Sequence, residues 1–476
     1  MGTTRVTHLL GLPDEIMVVI FGFLDYVDHR EAIRVSKRFH GFSEPYLYHN
    51  IHVRHSKQAL ALVNSLKADI RRARFVRHLL VSTKLGEESG VSALPPVIAD
   101  MCNLQNLRLE TPDCNSLKPK DRTNWVKLQD RYERIFGMSS ALVPRQEERL
   151  LPTLQSCTIH FVDSEKEIYS MTRYSMLFLH PTLKSLTISC ASTDFPGLLL
   201  KPFQNDPSLQ KSTRLEFLHL EECDIFPETL ALLLSFPRQL KSLKISEGVR
   251  YTDFRSRSSR LHGNVSPASL VYAIAQHCLE SLEWLSLSLG HRRHATHIIS
   301  DVDQHLALSS FLKIKYLEVD SGTVSLLRSQ PCDHQTWRRL PPNLESLKVF
   351  GIPVTLRLPF RPISNPRLPF RECFIKEKAA HGVPKLQSLI FDFEHYRHEE
   401  DLIQRLPNDL GTEQDFNYVD VAISILKKEC DRFEPICKKA GVRLQLQSTI
   451  LPTGFIPPYL FYEEHPIRDT IWQMAP

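Results

Sequence analysis

The sequence predicts an α/β protein: a short helical module at the N-terminus, then a long solenoid of strand-and-return units interrupted by insertions. Three observations predict it. Apolar residues fall at helical spacing between residues 12 and 52, a short leucine phrase recurs from residue 76 to the C-terminal region, and helical patterns lie between successive phrases. The chain has 476 residues, beyond the size at which a single core usually stops growing, so several domains or a repeat are expected.

The helical module opens at Leu12-Pro13-Asp14-Glu15-Ile16. Proline is tolerated in a first helical turn, and carboxylates are favourable at a helix N-terminus. Ile16, Val19, Ile20, Phe23 and Leu24 follow at helical spacing, and Asp25 and Asp28 break the run. A second stretch carries Ala32, Ile33, Val35, Phe39 and Phe42. Residues 8–52 resemble the F-box, the helical module that hangs substrate receptors of cullin-RING ubiquitin ligases on a Skp-type adaptor. The matching residues are Leu12-Pro13-x-Glu15-Ile16, Ile20-Phe21-x-x-Leu24-Asp25, Asp28, Val35-Ser36-Lys37-Arg38-Phe39 and Leu47-Tyr48. The resemblance implies that Leu12, Pro13, Ile16, Ile20, Phe21, Leu24, Val35 and Phe39 form the adaptor-binding surface and its supporting core. Where the family usually has apolar residues this chain has His29, Arg30 and Arg34, which implies a weaker hold on the adaptor.

Residues 53–450 carry the phrase Leu-x-x-Leu-x-Leu, whose last position varies among Leu, Ile, Val and Phe. It starts at 76, 104, 154, 183, 215, 240, 282, 314, 344 and 386, most often 25 to 32 residues apart. Proline stands two residues before some copies (Pro152, Pro181, Pro342, Pro384). The pattern resembles the leucine-rich repeat, in which each unit adds one strand to a parallel sheet and stacked leucines form a continuous core. Leu186, Leu218, Leu243, Leu285, Leu317, Leu347 and Leu389 are then equivalent inward positions. His219, Lys244, Ser286 and Lys348, between phrase leucines, are expected on the exposed face as candidate substrate contacts. Cys223 stands where that repeat ties one turn to the next. The return segments predict helices at 227–234 and 266–275, and at 419–437 before Gly441 and a strand from Val442.

The long steps mark insertions near 110–150 and 350–385. Trp125, Tyr132 and Phe136 are candidate anchors in the first. The second repeats Arg-Leu-Pro-Phe-Arg at 357–361 and 367–371, whose prolines predict an extended excursion clamped to the scaffold. The tail, residues 451–476, combines prolines with Phe455, Tyr459, Phe461, Tyr462 and Trp472, and is expected to fold back over the last repeat or across the sheet face.

Net charge is +5, from 59 basic and 54 acidic residues, too mild and mixed to indicate nucleic acid. Basic clusters at Arg71, Arg72, Arg74 and Arg77 and at Arg255, Arg257 and Arg260 read as solvated segments; an acidic partner is the functional reading of the first. Ten cysteines without a Cys-x-x-Cys pair fit reduced thiols in an intracellular protein of cytoplasm or nucleus. No apolar run spans a bilayer, so no membrane partner is expected. His291, His294 and His297 lie beside Arg292 and Arg293, which would repel a metal cation. No nucleotide-binding, hydrolase or metalloprotease motif occurs, so no cofactor and no catalytic residue is expected.

These readings lead to a non-enzymatic substrate receptor whose partners are a Skp-type adaptor, through it a cullin, and an unknown protein substrate. Its rivals are an adaptor-bound interaction protein with no ubiquitylation role, and an enzyme on a doubly wound α/β domain, which lacks the Gly-rich phosphate loop such domains often carry.

Overall fold

Each helix of the N-terminal module starts where its own sequence supplies an acceptor or a favourable charge. A computed structural model describes residues 11–82, 88–110, 125–160, 169–189, 191–192, 206–221, 223–246, 267–289, 308–320, 323–324, 339–351, 383–396, 418–451 and 467–474. Helix α1 (Asp14–Phe21) follows Pro13 and carries Asp14 and Glu15 in its first turn. Asp25 caps α2 (Tyr26–Val35) by accepting from the Asp28 N–H at 2.8 Å, and Ser36 caps α3 (Lys37–His49) by accepting from the Phe39 N–H at 3.1 Å. The residues that break the apolar run in sequence are therefore a cap and a first-turn carboxylate.

The chain divides into two compact units, residues 1–112, 123–159 and 180–183, and residues 113–122, 160–179 and 184–476. In the first unit the helical module runs into β1 (Asn50–Val53), α4 (Ser56–Ala68), a 3-10 turn at Ile70–Phe75, β2 (His78–Ser82), α5 (Glu88–Val91), α6 (Leu94–Ala99), β3 (Asn106–Glu110), α7 (Trp125–Ser139) and β4 (Ser156–His160). Strands β1, β2 and β3 pair in parallel, placing Ile51, Leu79 and Leu107 in register, and β4 follows β3. Strand β1 begins at residue 50, directly after α3, well before the first phrase at 76. Arg72 ties α3 to the 3-10 turn through Glu44 at 2.7 Å, and Arg71 pairs with Asp69 at 2.7 Å. These two arginines are held by local partners.

The second unit contains β5 (Tyr169–Ser170) paired with β7 (Ala191–Ser192), and a parallel sheet of β6 (Ser185–Ser189), β8 (Phe217–Glu221), β9 (Ser242–Ser246), β10 (Trp284–Ser288), β11 (Tyr316–Asp320), β12 (Ser346–Phe350), β13 (Ser388–Tyr396) and β14 (Arg443–Leu451), adjacent in that order. Strand β15 (Ile467–Gln473) adds antiparallel to β14. Helices α8 (Pro227–Ser235), α9 (Pro267–Cys278) and α10 (Tyr418–Lys439) occupy return segments, the first two opening on proline as the sequence predicts. Gly441 follows α10 with φ +66°, the left-handed value at which a side chain is strained.

Register is what the phrase specifies. Leu186, Leu218, Leu243, Leu285, Leu317, Leu347, Leu389 and Leu444 lie opposite one another on successive strands, and all are buried. Two residues on, Ile188, Leu220, Ile245, Leu287, Val319, Val349, Phe391 and Leu446 form a second buried row. Just before each strand, Lys184, Glu216, Lys241, Glu283, Lys315 and Glu345 alternate in sign and link in a chain, each N–H donating to the carbonyl of the one before. Lys241 meets Glu216 at 2.9 Å, whereas a slip by one unit would oppose like charges. The Cys223 thiol donates to the Glu221 carbonyl at 3.2 Å and to the Ile188 carbonyl of the preceding strand at 3.5 Å.

Of the first insertion the structure describes residues 125–150. Tyr132 and Phe136 of α7 are buried, so they act as core anchors. The tail contributes an edge strand through β15, with a bulge between Leu446 and Gln447 of its partner. The repeated Leu-Pro-Phe stretch, the His291, His294 and His297 cluster, the Arg255, Arg257 and Arg260 cluster, the Trp125 side chain and tail residues 452–466 lie outside the described residues. Among the described residues no helix is long and apolar enough to cross a membrane.

Truncating a buried leucine to alanine costs about 2–5 kcal/mol, and an unpaired buried carboxylate adds to that. Leu243→Asp should therefore lower the thermal unfolding midpoint sharply, while Tyr272→Ala on the exposed face of α9 should change stability by under about 0.5 kcal/mol. Equal effects in a thermal unfolding series would contradict the stacked-leucine core.

Candidate functional site

This small three-helix module has two sets of apolar residues on and just after α1, and the structure gives each a different role. Met17 and Phe21, one turn apart, are buried and pack with Phe39 of α3. The Phe21 ring meets Phe39 edge-on with centroids 5.2 Å apart, and Leu12, Ile20, Leu24, Ala32, Phe42 and Tyr46 pack around this cluster. Arg38 fastens α3 to the start of α1, donating from Nη2 to Asp14 Oδ1 at 2.6 Å and to the Leu12 carbonyl. Its guanidinium also lies over the Phe42 ring, 5.7 Å from the centroid.

The second stripe is exposed. Ile16, Val19 and Phe23 recur at helical spacing on the side away from Met17 and Phe21, and Phe23 is 86% exposed. Tyr26, Val27 and Val35 of α2 are also exposed. Of the residues expected at the adaptor surface, Pro13, Ile16 and Val35 are exposed, Leu12, Ile20 and Leu24 are half-buried, and Phe21 and Phe39 are core. Sequence reasoning did not assign Met17 to the core or Val19, Phe23, Tyr26 and Val27 to the surface. The signal was present for Met17, which lies four residues before Phe21 and seven before Leu24.

His29 is the unusual member of the core. It is buried, its ring stacks on Tyr46 at 4.6 Å, and neither ring nitrogen has a hydrogen-bond partner among the described residues. Burial pulls its pKa below the ordinary 6.5, opposed by the carboxylates of Asp28 and Asp25. Arg30 and Arg34 project into solvent, Arg34 pairing with Glu31 at 3.2 Å.

The module thus combines three short helices, two of them capped by Asp25 and Ser36, with a packed core and an exposed apolar stripe. Residues 9–54 match the F-box-like family model. F-box-like domains generally bind Skp-type adaptors. A search of the curated proteins found no match to the chain.

The four candidate substrate contacts share one face of the second unit's sheet but differ in availability. His219 is half-buried, 5.9 Å from the Trp284 ring, and burial lowers its pKa, Glu221 opposing and Lys244 adding to the shift. Lys244 pairs with Glu221 at 2.7 Å. Ser286 is 1% exposed, against expectation, because it sits between Lys244 and Glu318 across the sheet and between Trp284 and Ser288 along its strand. Lys348 also departs from a free surface lysine: its Nζ lies 2.6 Å from Asp392, a buried carboxylate that accepts from Thr449 at 2.8 Å. Exposed aromatics that the sequence reading did not single out, Phe217 and Tyr316, stand at the first position of their strands on this face. Among the described residues no group of three or more His, Cys, Asp or Glu is placed to hold a metal ion.

The F-box-like domain should be acid-sensitive through His29. An imidazole whose pKa is depressed by folding contributes its stability fully above pH 6.5 and loses it as pH falls below that value. His160 and His180, held by burial at about 3 and about 4, act with the same sign, so the informative quantity is a difference. His29→Phe, which keeps the stack on Tyr46, should lose less stability than the wild type between about pH 7.5 and 5.5 in chemical unfolding. Identical losses would show that His29 does not titrate with folding.

Proposed function

We propose that this chain is the substrate-recognition subunit of an SCF-type ubiquitin ligase. The F-box-like domain holds the Skp-type adaptor and through it a cullin, and the repeat region forms a leucine-rich solenoid that captures a protein substrate. The single observation that carries the reading is the exposed apolar stripe Ile16, Val19 and Phe23 in a segment that matches the F-box-like model. Interfaces draw most of their affinity from a few such apolar anchors surrounded by a polar rim. The in-register phrase leucines support a repeat architecture, whose polar strand faces are surfaces for recognition.

In this reading the chain contributes no catalytic group. It raises the rate of ubiquitin transfer by holding an acceptor lysine near an activated ubiquitin carried by other subunits. It works inside the cell, where the ligase subunits are found.

Tagged chain should capture a purified Skp-type adaptor, and from cell extract should bring down a cullin with a neddylated fraction. Ile16→Asp/Val19→Asp changes only exposed positions and should leave the fold intact. It should weaken adaptor capture by more than about thirtyfold, the factor for losing one anchor worth about 2 kcal/mol. Unchanged capture by this variant would contradict the docking assignment. Adaptor without cullin would contradict the ligase role and favour an adaptor-bound interaction protein.

A further inference from the structure

Strand alternation puts Trp284 and Ser286 of β10, Tyr316 and Glu318 of β11, and Ser346 and Lys348 of β12 on one face of the second unit's sheet, opposite the buried leucines. Trp284 and Tyr316 are register partners, and Tyr316 is exposed. Neighbouring strands lie about 4.8 Å apart, so the two aromatic side chains stand side by side on that face. Trp284 is held from the other direction: its ring lies 5.9 Å from that of His219, two strands away across β9, where the intervening Ser242 is buried. Tyr316 meets no other ring among the described residues. Phe217 continues the aromatic row on β8 and is exposed as well.

Two residues after Tyr316, about 7 Å further along the same face, stands Glu318. Its register partners are Ser286, which carries no charge, and Lys348, which is taken by Asp392 at 2.6 Å. Two further carboxylates on this face are engaged. Glu221 pairs with Lys244 at 2.7 Å, and Asp320 accepts from Ser288 Oγ at 3.2 Å and from the Thr323 N–H at 2.6 Å. Glu318 differs from them: it is half-buried and makes no ion pair or hydrogen bond among the described residues. A carboxylate partly withdrawn from water attracts a cation more strongly than one in open solvent. A guanidinium suits the arrangement better than an ammonium, because it is planar, stacks on an aromatic ring and forks onto a carboxylate.

We infer that Glu318, Tyr316 and Trp284 form a docking site for an arginine side chain presented by a segment of a protein partner. The guanidinium stacks on the exposed Tyr316 ring and donates to the Glu318 carboxylate, and Trp284 walls the site on the β10 side. The inference rests on the proposed reading that strand faces of the repeat region receive a protein partner, and it names the chemistry this face selects; it does not depend on adaptor binding.

The test uses the full chain and a fluorescein-labelled ten-residue peptide of alternating arginine and glycine, read by fluorescence anisotropy at near-physiological salt, where charges beyond a screening length contribute little. Saturable binding is expected. Glu318→Gln, close in shape but uncharged, should weaken it about tenfold or more. Tyr316→Leu should weaken it about threefold to fivefold, while Tyr316→Phe, which keeps the ring face, should bind within about twofold of wild type. Glu228→Gln, which removes an exposed carboxylate from α8, should leave binding unchanged. All four variants should keep the wild-type thermal unfolding midpoint, since Tyr316 and Glu228 are exposed and Glu318 holds no partner among the described residues.

The proposal is overturned if the wild-type chain does not bind the peptide, if Glu318→Gln or Tyr316→Leu binds it as tightly as wild type, or if Glu228→Gln weakens it as much as Glu318→Gln. It is equally overturned if a matched lysine–glycine peptide binds as tightly, or if a leucine–serine peptide binds and the arginine peptide does not. Adaptor capture by the same samples keeps the readings separate. Adaptor capture without peptide binding overturns this site alone, whereas peptide binding without adaptor capture upholds it while refuting the ligase reading.

Discussion

The second leucine of each phrase must meet its equivalents on both neighbouring strands, and the rest of the repeat region follows from that constraint. From Leu186 to Leu444 one buried position repeats on eight adjacent parallel strands. A slip of one residue would carry these leucines to the polar face and bring Lys244, Lys348 and Asp392 into the core. The charge alternation from Lys184 to Glu345 opposes slips by whole units, which the leucines alone do not detect. Together they specify both the residue register and the neighbour.

Where the pattern was local, it was legible. The phrase positions, the helices at 227–235, 267–278 and 418–439 and the first N-terminal helix rest on spacings within one segment, whereas the second N-terminal stretch, read as one run from Ala32 to Phe42, is divided at Ser36 into α2 and α3. Strand β1 was missed because its copy of the phrase reads Tyr48-x-x-Ile51-x-Val53, with tyrosine in the first leucine position. The edge strand β15 was missed because its pairing with β14 is made across a Pro-rich stretch. The ion pair of Lys348 with Asp392 joins residues 44 positions apart, so the sequence offered a lysine at a polar strand position and no hint that it would be held.

The F-box-like domain shows the same limit in another form. Helical spacing identified one apolar run, Ile16, Val19, Ile20, Phe23 and Leu24, without saying which of its residues the protein buries, because each is the right chemistry for a core or an interface. Packing decides it: Met17 and Phe21 close on Phe39, and that leaves Ile16, Val19 and Phe23 outside. The apolar position that the family usually has after Asp28 is filled here by His29, which retains the packing through Tyr46 at the cost of burying two unpartnered ring nitrogens. Of the basic cluster at Arg71, Arg72, Arg74 and Arg77, Arg71 and Arg72 are paired with Asp69 and Glu44, partners that sequence proximity does not assign.

Amide hydrogen exchange on the full chain, with and without saturating Skp-type adaptor, tests the central claim most directly because it locates docking without altering a residue. Slowed exchange is predicted over residues 14–27, the exposed stripe of α1 and the start of α2, with exchange in β8 to β12 unchanged. No slowing anywhere in residues 12–39, or slowing confined to the repeat strands, would contradict the assignment of this helical module as the adaptor-binding element.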